Sequence, residues 1–529
     1  MFFAPRGVEA ESAFTLTGTL SIILGDSEKG ESYVVYHLRT TLGELVQVYP
    51  STPLPLSYQG REVTATGIIV EVAGRRTLKE ATVTLEEPAP PRDVVSGTRK
   101  IAMLLLKYSD SAAEPSDPTY YWNLMNPTSD SVNAFYREES YGLLTIEADV
   151  YGWYTLPQPR SYYVSGWDCT GLQWEELISD GVDAADPDVY FPQYDDVSFV
   201  MSDHLDGCAW GGGVWISADE VSRGYGGTWM PPWAQNAGVY AHEEGHAIGC
   251  PHTGWVYYGY DSPWDVESGG DWFNPQPRGS YYSVATGEDE ELYSYDPGHH
   301  IAYHKIRLGW LDGWYSQLSG GTTTVTVNAL AGPPITSMAI KLNVPGLDPD
   351  RKYFTVEART NINYDQWLPG EGIIIHFVDE DRTGFGLGGG YVPAYPIDST
   401  PGDGTLGNAQ WDAGTTYINS TYGLAISILS KTGNSYDVEV TYTLPDLTVE
   451  DVWLEQAPSS RETGSTPTLG IWAGETTGEG TSRLQSGDSF YIRARVRNIG
   501  AAPAPGYYVD AYYDGLYAWG YTPATLDAG

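Results

Sequence analysis

Short runs of alternating apolar and polar residues open the chain: 14–23, 33–39, 45–49 and 62–72, with Gly and Pro between them. A period of two puts one face in a core and the other in water, so 13–88 predicts the strands of a small β barrel or sandwich. The stretch 86–92 (EEPAPPR) reads as a Pro-rich linker. The pattern changes at Arg99. Residues 101–106 form a continuous apolar run, the signature of a strand buried on both faces. Val132, Phe135 and Tyr136 stand at helical spacing within 131–140. Then come a strand at 143–150, a helix at 174–182, a buried strand at 197–201, an edge strand at 213–216 and a helix at 233–248. Strands alternating with helices predict an α/β layer.

From Thr322 the pattern returns to strands, at 322–327, 337–343, 353–358, 372–378, 424–429 and 436–443. These predict a β domain packed behind the α/β unit. A last β segment starts near Asp446, with 490–496 (FYIRARV) and 507–513 as its clearest strands. Its strand spacing resembles that of immunoglobulin-like sandwiches. The first β unit resembles an OB-type barrel. The expected division is therefore 1–92, an N-terminal β domain with its linker; 93–320, an α/β domain; 321–445, a second β domain; and 446–529, an immunoglobulin-like domain expected to be incomplete.

Length and charge narrow the function classes. A chain of 529 residues suits three or four domains. Lys+Arg 28 against Asp+Glu 69 gives a net charge of −41, which opposes binding to a nucleic-acid backbone or an anionic membrane surface. It favours a cation-rich or extracellular setting, or bound calcium. The 61 Gly, 35 Pro, 41 Tyr and 18 Trp favour turns and β layers over helical bundles. No apolar run approaches the ~20 residues of a membrane span, and residues 1–14 do not read as a secretory signal. The three cysteines, Cys169, Cys208 and Cys250, have no CxxC spacing, which excludes a cysteine-rich structural zinc site. A single Cys169–Cys208 bridge and three buried thiols are both compatible with this count.

The informative stretch is His242-Glu243-Glu244-Gly245-His246-Ala247-Ile248-Gly249-Cys250-Pro251-His252, which has the form HExxHxxGxxH. On a helix, positions four apart share a face, so His242 and His246 can aim ring nitrogens at one ion. Glu243 stands beside them, where a carboxylate reaches a metal-bound water. Gly249 allows the helix to end in a left-handed turn, and the returning chain brings in His252 as third ligand. Three imidazoles leave a fourth position for water, the arrangement of a catalytic zinc. The chemistry expected is hydrolysis of a peptide bond, with Glu243 as general base.

HEEGHAIGCPH resembles the extended zinc motif of metzincin metallopeptidases. The flanks, 135–156, 186–200, 262–270, 298–310 and 353–380, are similar to the immune inhibitor A-type secreted zinc metalloproteases, with His252 as in gametolysin-like relatives. The similarity covers roughly 99–445 in separated blocks. It implies a metzincin-type catalytic domain over 93–320 with accessory β domains. It also implies zinc on His242, His246 and His252, Glu243 as catalytic carboxylate, protein or peptide substrates, frequent calcium, and a secreted or cell-surface location. One position departs from the family: Glu267 stands where metzincins place a Met in the turn beneath the zinc. A buried carboxylate there is costly unless paired, so Glu267 either points elsewhere or tunes the site.

Weaker signals remain. His300 and His304 are four apart on an expected helix, with His299 adjacent, but Ile301 stands where a catalytic Glu would be; core or surface histidines are the favoured reading, an accessory metal the lesser one. His204 and His376 are isolated. Asp183, Asp186, Asp188, Asp195 and Asp196 fit either a calcium loop or a solvated acidic loop. The stretch from Asp379 begins like an EF-hand but has Gly390 at its twelfth position. The Gly-rich 384–390 reads as a flexible loop, and Asn419-Ser420-Thr421 is a formal glycosylation site. Gly211-Gly212-Gly213 leads either into an edge strand that pairs with substrate backbone or into an ordinary turn. No cysteine precedes Cys169, which excludes latency through a thiol within residues 1–98; the first β unit either shields the cleft or is accessory. The expectation is a zinc endopeptidase acting on extracellular or cell-surface proteins. The alternatives are a catalytically impaired homologue serving in surface binding or adhesion, and a surface-layer component suggested by acidity and β content.

Overall fold

The computed structural model describes residues 13–72, 75–87, 94–383 and 390–442, and the backbone of five strands between 447 and 521. The linker 88–93 and the Gly-rich 384–389 lie outside the described residues, as do the side chains beyond 442.

Five strands begin the fold: β1 (Ala13–Ser27), β2 (Ser32–Thr40), β3 (Leu45–Pro50), β4 (Glu62–Val72) and β5 (Arg75–Leu85). Their pairings close a ring, β1-β2-β3-β5-β4-β1, antiparallel except for the parallel β3–β5 pair. Alternate residues fill it, among them Leu20, Ile22, Leu24, Leu38, Val46, Val48, Val63 and Leu78. The charged face of β5 (RRTLKEATVTL) hid it from periodicity alone.

The next unit runs β6 (Gly97–Lys107), α1 (Pro118–Met125), α2 (Val132–Glu139), β7 (Leu144–Thr155), α3 (Arg160–Tyr163), α4 (Trp174–Ala185), β8 (Asp196–Met201), β9 (Cys208–Ala218), β10 (Val221–Met230) and α5 (Ala237–Ile248). The strand β6 is parallel to β7 and β8, and both its faces are buried, as its unbroken apolar run predicts. Ala102, Leu104 and Leu106 face the core beneath α4; Ile101, Met103 and Leu105 face the core shared with α1, α2 and α5. That alternation follows from the two-residue period of a strand.

Both units belong to one ten-stranded sheet, ordered β2-β3-β5-β4-β1-β9-β10-β8-β6-β7. The joint is β1. It pairs with β4 over Ala13–Thr19 and with β9 over Ile23–Ser27. The expected edge strand at 213–216 is part of β9. There it pairs with β10, while the Cys208–Gly212 half is covered by β1.

Beyond α5 lie a hairpin, β11 (Phe273–Tyr282) and β12 (Asp289–Asp296), and the short helix α6 (Ala302–Arg307). The strands β13 (Tyr315–Leu318), β14 (Thr322–Asn328), β15 (Ala339–Asn343), β16 (Lys352–Arg359), β17 (Gly372–Asp379), β18 (Ala394–Pro396), β19 (Thr416–Asn419), β20 (Leu424–Thr432) and β21 (Ser435–Tyr442) build two sheets, β13-β15-β16-β17-β18 and β14-β21-β20-β19. One hydrophobic cluster joins them, with Val356 and Ile375 from one sheet and Ile426 and Val438 from the other. The last strands are β22 (Leu447–Gln456), β23 (Thr468–Ile471), β24 (Phe490–Asn498), β25 (Tyr508–Tyr513) and β26 (Leu516–Tyr521), paired as β23-β22-β24 and β25-β26. Among the described residues, no helix is long and apolar enough to cross a membrane.

Of the two cysteine readings, the bridge is the one formed: Cys169 and Cys208 are disulfide-bonded across a sequence separation of 39, and Cys250 is a buried free thiol. The bridge anchors the start of β9, where Cys208 faces Ser27 of β1. Closing a loop of this length constrains the unfolded chain by about 3–4 kcal/mol. The Cys169→Ser/Cys208→Ser double variant is therefore expected to lose stability of that order in urea unfolding, with a larger m-value as the unfolded chain expands.

Candidate metal centre

The helix α5 positions the first two histidines. Asn236 caps it, its side chain accepting from the Val239 N–H at 3.1 Å, and Gly249 ends it at φ 106°, the left-handed turn its place in the motif predicts. The helix lies directly on β9: a Cβ on Gly211 would stand 2.2 Å from the Glu243 carbonyl oxygen. That approach is what the glycines of β9 permit. Next to Glu243, Glu244 turns into the sheet toward the Arg99–Asp196 ion pair, with Arg99 Nε 3.4 Å from its carboxylate.

The three imidazoles converge. His246 Nε2 lies 2.9 Å and His242 Nε2 3.4 Å from His252 Nε2. All three side chains are buried. The opposite nitrogens are each held: His242 Nδ1 by the Val266 carbonyl at 2.7 Å, His246 Nδ1 by the Cys250 carbonyl at 2.8 Å, and His252 Nδ1 by Ser32 Oγ at 2.9 Å. Two of these partners only accept, so His242 and His246 carry their proton on Nδ1, leaving Nε2 as a lone pair. Lone pairs this close repel unless a cation lies between them. Zinc–nitrogen bonds of about 2.0–2.1 Å in a tetrahedron put the nitrogens about 3.3 Å apart, close to the spacing here.

A fourth group arrives from far away in sequence. Asp26, near the end of β1, places Oδ1 2.8 Å from His252 Nε2, and Oδ2 3.2 Å from His242 Nε2 and 3.4 Å from His246 Nε2. Asp26, His242, His246 and His252 thus form a buried group that could hold a metal ion. The charges agree. Burial pushes the Asp26 carboxyl up, but His252 and His242 outweigh it and hold it well below the usual range. Burial disfavours the charged form of His242, yet Asp26 and Glu267 raise its pKa well above the ordinary value. The carboxylates call for positive charge at this point, and a divalent cation would supply it.

Glu243 faces the same space. Its carboxylate is fully buried and both oxygens lack a hydrogen-bond partner. Burial, then the Asp26 charge, raises its pKa well above the ordinary carboxylate value. It shares with His242 and Asp26 a cavity of about 570 Å³, whose rim includes Trp233, Tyr260 and Trp272. Asp261 gathers the loop after His252, accepting from the backbone N–H groups of Trp255, Val256 and Tyr257 at 2.7 Å each. That loop delivers the Tyr260 hydroxyl to 3.1 Å from His252 Nε2.

Glu267 points inward. Its carboxylate lies beneath α5, 3.1 Å from His246 Nδ1 and 2.7 Å from His300 Nε2. Gly245 makes room for it, since a Cβ there would stand 1.8 Å from Glu267 Oε1. His300 bridges two acids, its Nδ1 lying 2.6 Å from Glu139. Burial opposes charge on His300, but Glu139 leads the neighbours that raise its pKa well above the usual value. An imidazolium between two carboxylates offsets part of the cost of burying Glu267, whose carboxyl is still pushed up to about 7 by burial. The nearby Cys250, Glu267 and His300 could also hold an ion, but both His300 nitrogens are already committed to carboxylates. The turn itself is tied to the second β domain: Arg359, fully buried, donates to the Trp264 carbonyl and pairs with Asp365 at 2.7 Å, and Trp264 Nε1 donates to the Leu406 carbonyl at 2.7 Å.

The remaining candidates have other partners. His299 meets Glu138 at 2.9 Å, His304 meets Asp265 at 3.0 Å and His204 meets Glu290 at 2.5 Å. His300 precedes α6 rather than lying on it. The five aspartates do not gather into one of the groups that could hold an ion. Asp196 pairs with Arg99, Asp195 accepts from the Lys100 N–H at 2.9 Å, and Asp188 accepts from Tyr154 Oη at 2.8 Å. Asp379 pairs with Lys352 at 3.1 Å and Asp381 with Arg351. Sequence reasoning missed Asp26, Ser32 and the role of His300. No motif surrounds Asp26; only its place near the end of an apolar strand run marks it. No protein family's sequence profile matches the chain, and no curated protein matches it.

Two measurements test this geometry. Ser32→Ala removes the partner of the third ligand and should weaken zinc affinity by about 10–100-fold, read by chelator competition. His300→Leu strands Glu139 and Glu267 without their shared cation. It is expected to cost about 3–5 kcal/mol in chemical denaturation, near the upper end for a single substitution.

Proposed function

We propose that this chain is a zinc-dependent endopeptidase of metzincin type, with His242, His246 and His252 holding the metal and Glu243 as general base. The observation that carries the reading is Glu243, a fully buried carboxylate with two unpartnered oxygens beside three converging imidazoles. A bound zinc would supply Lewis acidity and lower the pKa of a coordinated water to about 7. The residues of the chain do the rest. Glu243, with both oxygens unpartnered beside the imidazoles, would take the proton of the attacking water and pass it to the leaving amine. Glu267 and the Val266 and Cys250 carbonyls hold the ring orientations of His246 and His242. The Tyr260 hydroxyl stands where a donor could meet the developing oxyanion. The disulfide and the net charge of −41 support a secreted or cell-surface protein that acts on other proteins and not on nucleic acid. The ring order of the first five strands supports an OB-like barrel beside the catalytic unit.

A second reading has its own observation. Asp26 stands where a zinc-bound water would, and a site closed by four protein ligands is the structural type. In that case the chain is an impaired homologue that keeps its metal and serves in binding or adhesion at a surface.

Casein digestion separates the two. Chelator-sensitive cleavage that falls by about 10²–10⁴-fold in Glu243→Ala, with zinc content unchanged, is the expected result. Zinc-loaded protein that cleaves nothing, both intact and as Asp26→Ala, leaves the second reading.

A further inference from the structure

Three observations meet at the end of β1. First, Asp26 brings its carboxylate to 2.8–3.4 Å from all three Nε2 atoms, the distances expected of a fourth ligand about a shared ion. Second, the same strand covers the β9 backbone at the metal. Ile23, Leu24, Gly25, Asp26 and Ser27 pair antiparallel with Gly212, Gly211, Trp210, Ala209 and Cys208. An open strand at that place is what an extended peptide would need for backbone pairing. The fit is close: a Cβ on Gly25 would stand 2.2 Å from the Trp210 indole, and one on Gly212 would stand 2.3 Å from the Ile22 carbonyl oxygen. Third, the turn that follows, Ser27 to Glu31, walls the cavity containing Glu243, with Gly30 packed against the Tyr260 ring.

We propose that the first β unit is a built-in inhibitor of the site. In this proposal, which rests on the endopeptidase reading, β1 takes the place of the substrate strand on β9 and Asp26 takes the place of the attacking water on the metal. The two act together because both belong to one strand, so a movement of β1 off β9 returns the backbone edge and the fourth coordination position at once. Ser32, which follows the turn, remains a support for His252 as long as the unit is seated. A latent state of this kind lowers the apparent affinity of any ligand for the open position by the fraction of molecules in which β1 is displaced.

The test uses the full chain loaded with zinc as wild type, Asp26→Ala and Asp26→Asn, with metal content measured for each. Acetohydroxamate, a small bidentate zinc ligand, probes the open position, and casein cleavage is measured in parallel. The expected result is at least about tenfold tighter hydroxamate binding and at least about tenfold faster cleavage in the variants than in the wild type. Asp26→Asn keeps the size of the side chain and supplies the answer if Asp26→Ala does not fold. Equal hydroxamate affinity in wild type and both variants overturns the proposal and leaves the endopeptidase reading standing. Variants that take up hydroxamate tenfold more tightly yet cleave nothing uphold Asp26 as occupant of the position and leave the block of cleavage to β1 on the β9 edge.

Discussion

Three imidazole rings and one carboxylate, all buried, converge on a single place in this protein. That arrangement is unfavourable without positive charge at its centre, and much of the surrounding structure serves to maintain it. The Val266 and Cys250 carbonyls and Ser32 Oγ fix the three rings from behind. The helix that carries two of them is pressed onto β9 at Gly211, and its C-terminal left-handed turn sends the chain back to deliver the third. The same centre accounts for the acids buried nearby: Asp26 and Glu267 face histidines and Glu244 faces an arginine, while Glu243 alone of these keeps both oxygens unpartnered.

Glu267 shows how the protein manages a buried carboxylate beneath α5. A thioether in this position would only pack. A carboxylate needs a counter-charge, and the chain provides one in His300, itself held by Glu139. Gly245 belongs to the same solution, because any side chain there would fill the space that the carboxylate occupies. The floor is therefore electrostatic as well as steric, and it reaches through Trp264 and Arg359 into the second β domain. Packing these strands behind the α/β unit thus fixes the floor beneath the histidines that could hold an ion.

The sheet has a similar double use. Running one strand across two units gives a continuous ladder from the first barrel to β7. It also places a residue from position 26 among residues 242–252. The Cys169–Cys208 bridge pins the β9 end of that junction, where Cys208 pairs with Ser27. Stability of the joint and access to the metal centre are consequently linked through a single strand.

Local chemistry was legible in the chain itself. The i, i+4 histidines, the adjacent Glu243 and the helix-ending Gly249 lie within a few residues of each other, so helical geometry alone relates them. The apolar run at 101–106 likewise announced a strand buried on both faces, and the alternating runs at 14–72 announced sheet. Other features depend on pairings between distant segments that no periodicity encodes. Asp26 has no motif around it. Its carboxylate matters because β1 changes partners from β4 to β9 partway along its length. From sequence His300 reads as a core or surface histidine, or less readily an accessory ligand; its place between Glu139 and Glu267 exists only in the fold. The sequence determined which three histidines could bind a metal and how helix α5 would present two of them. Tertiary structure decided what stands opposite them, because that choice rests on strand register and buried charge balance, which only the assembled sheet defines.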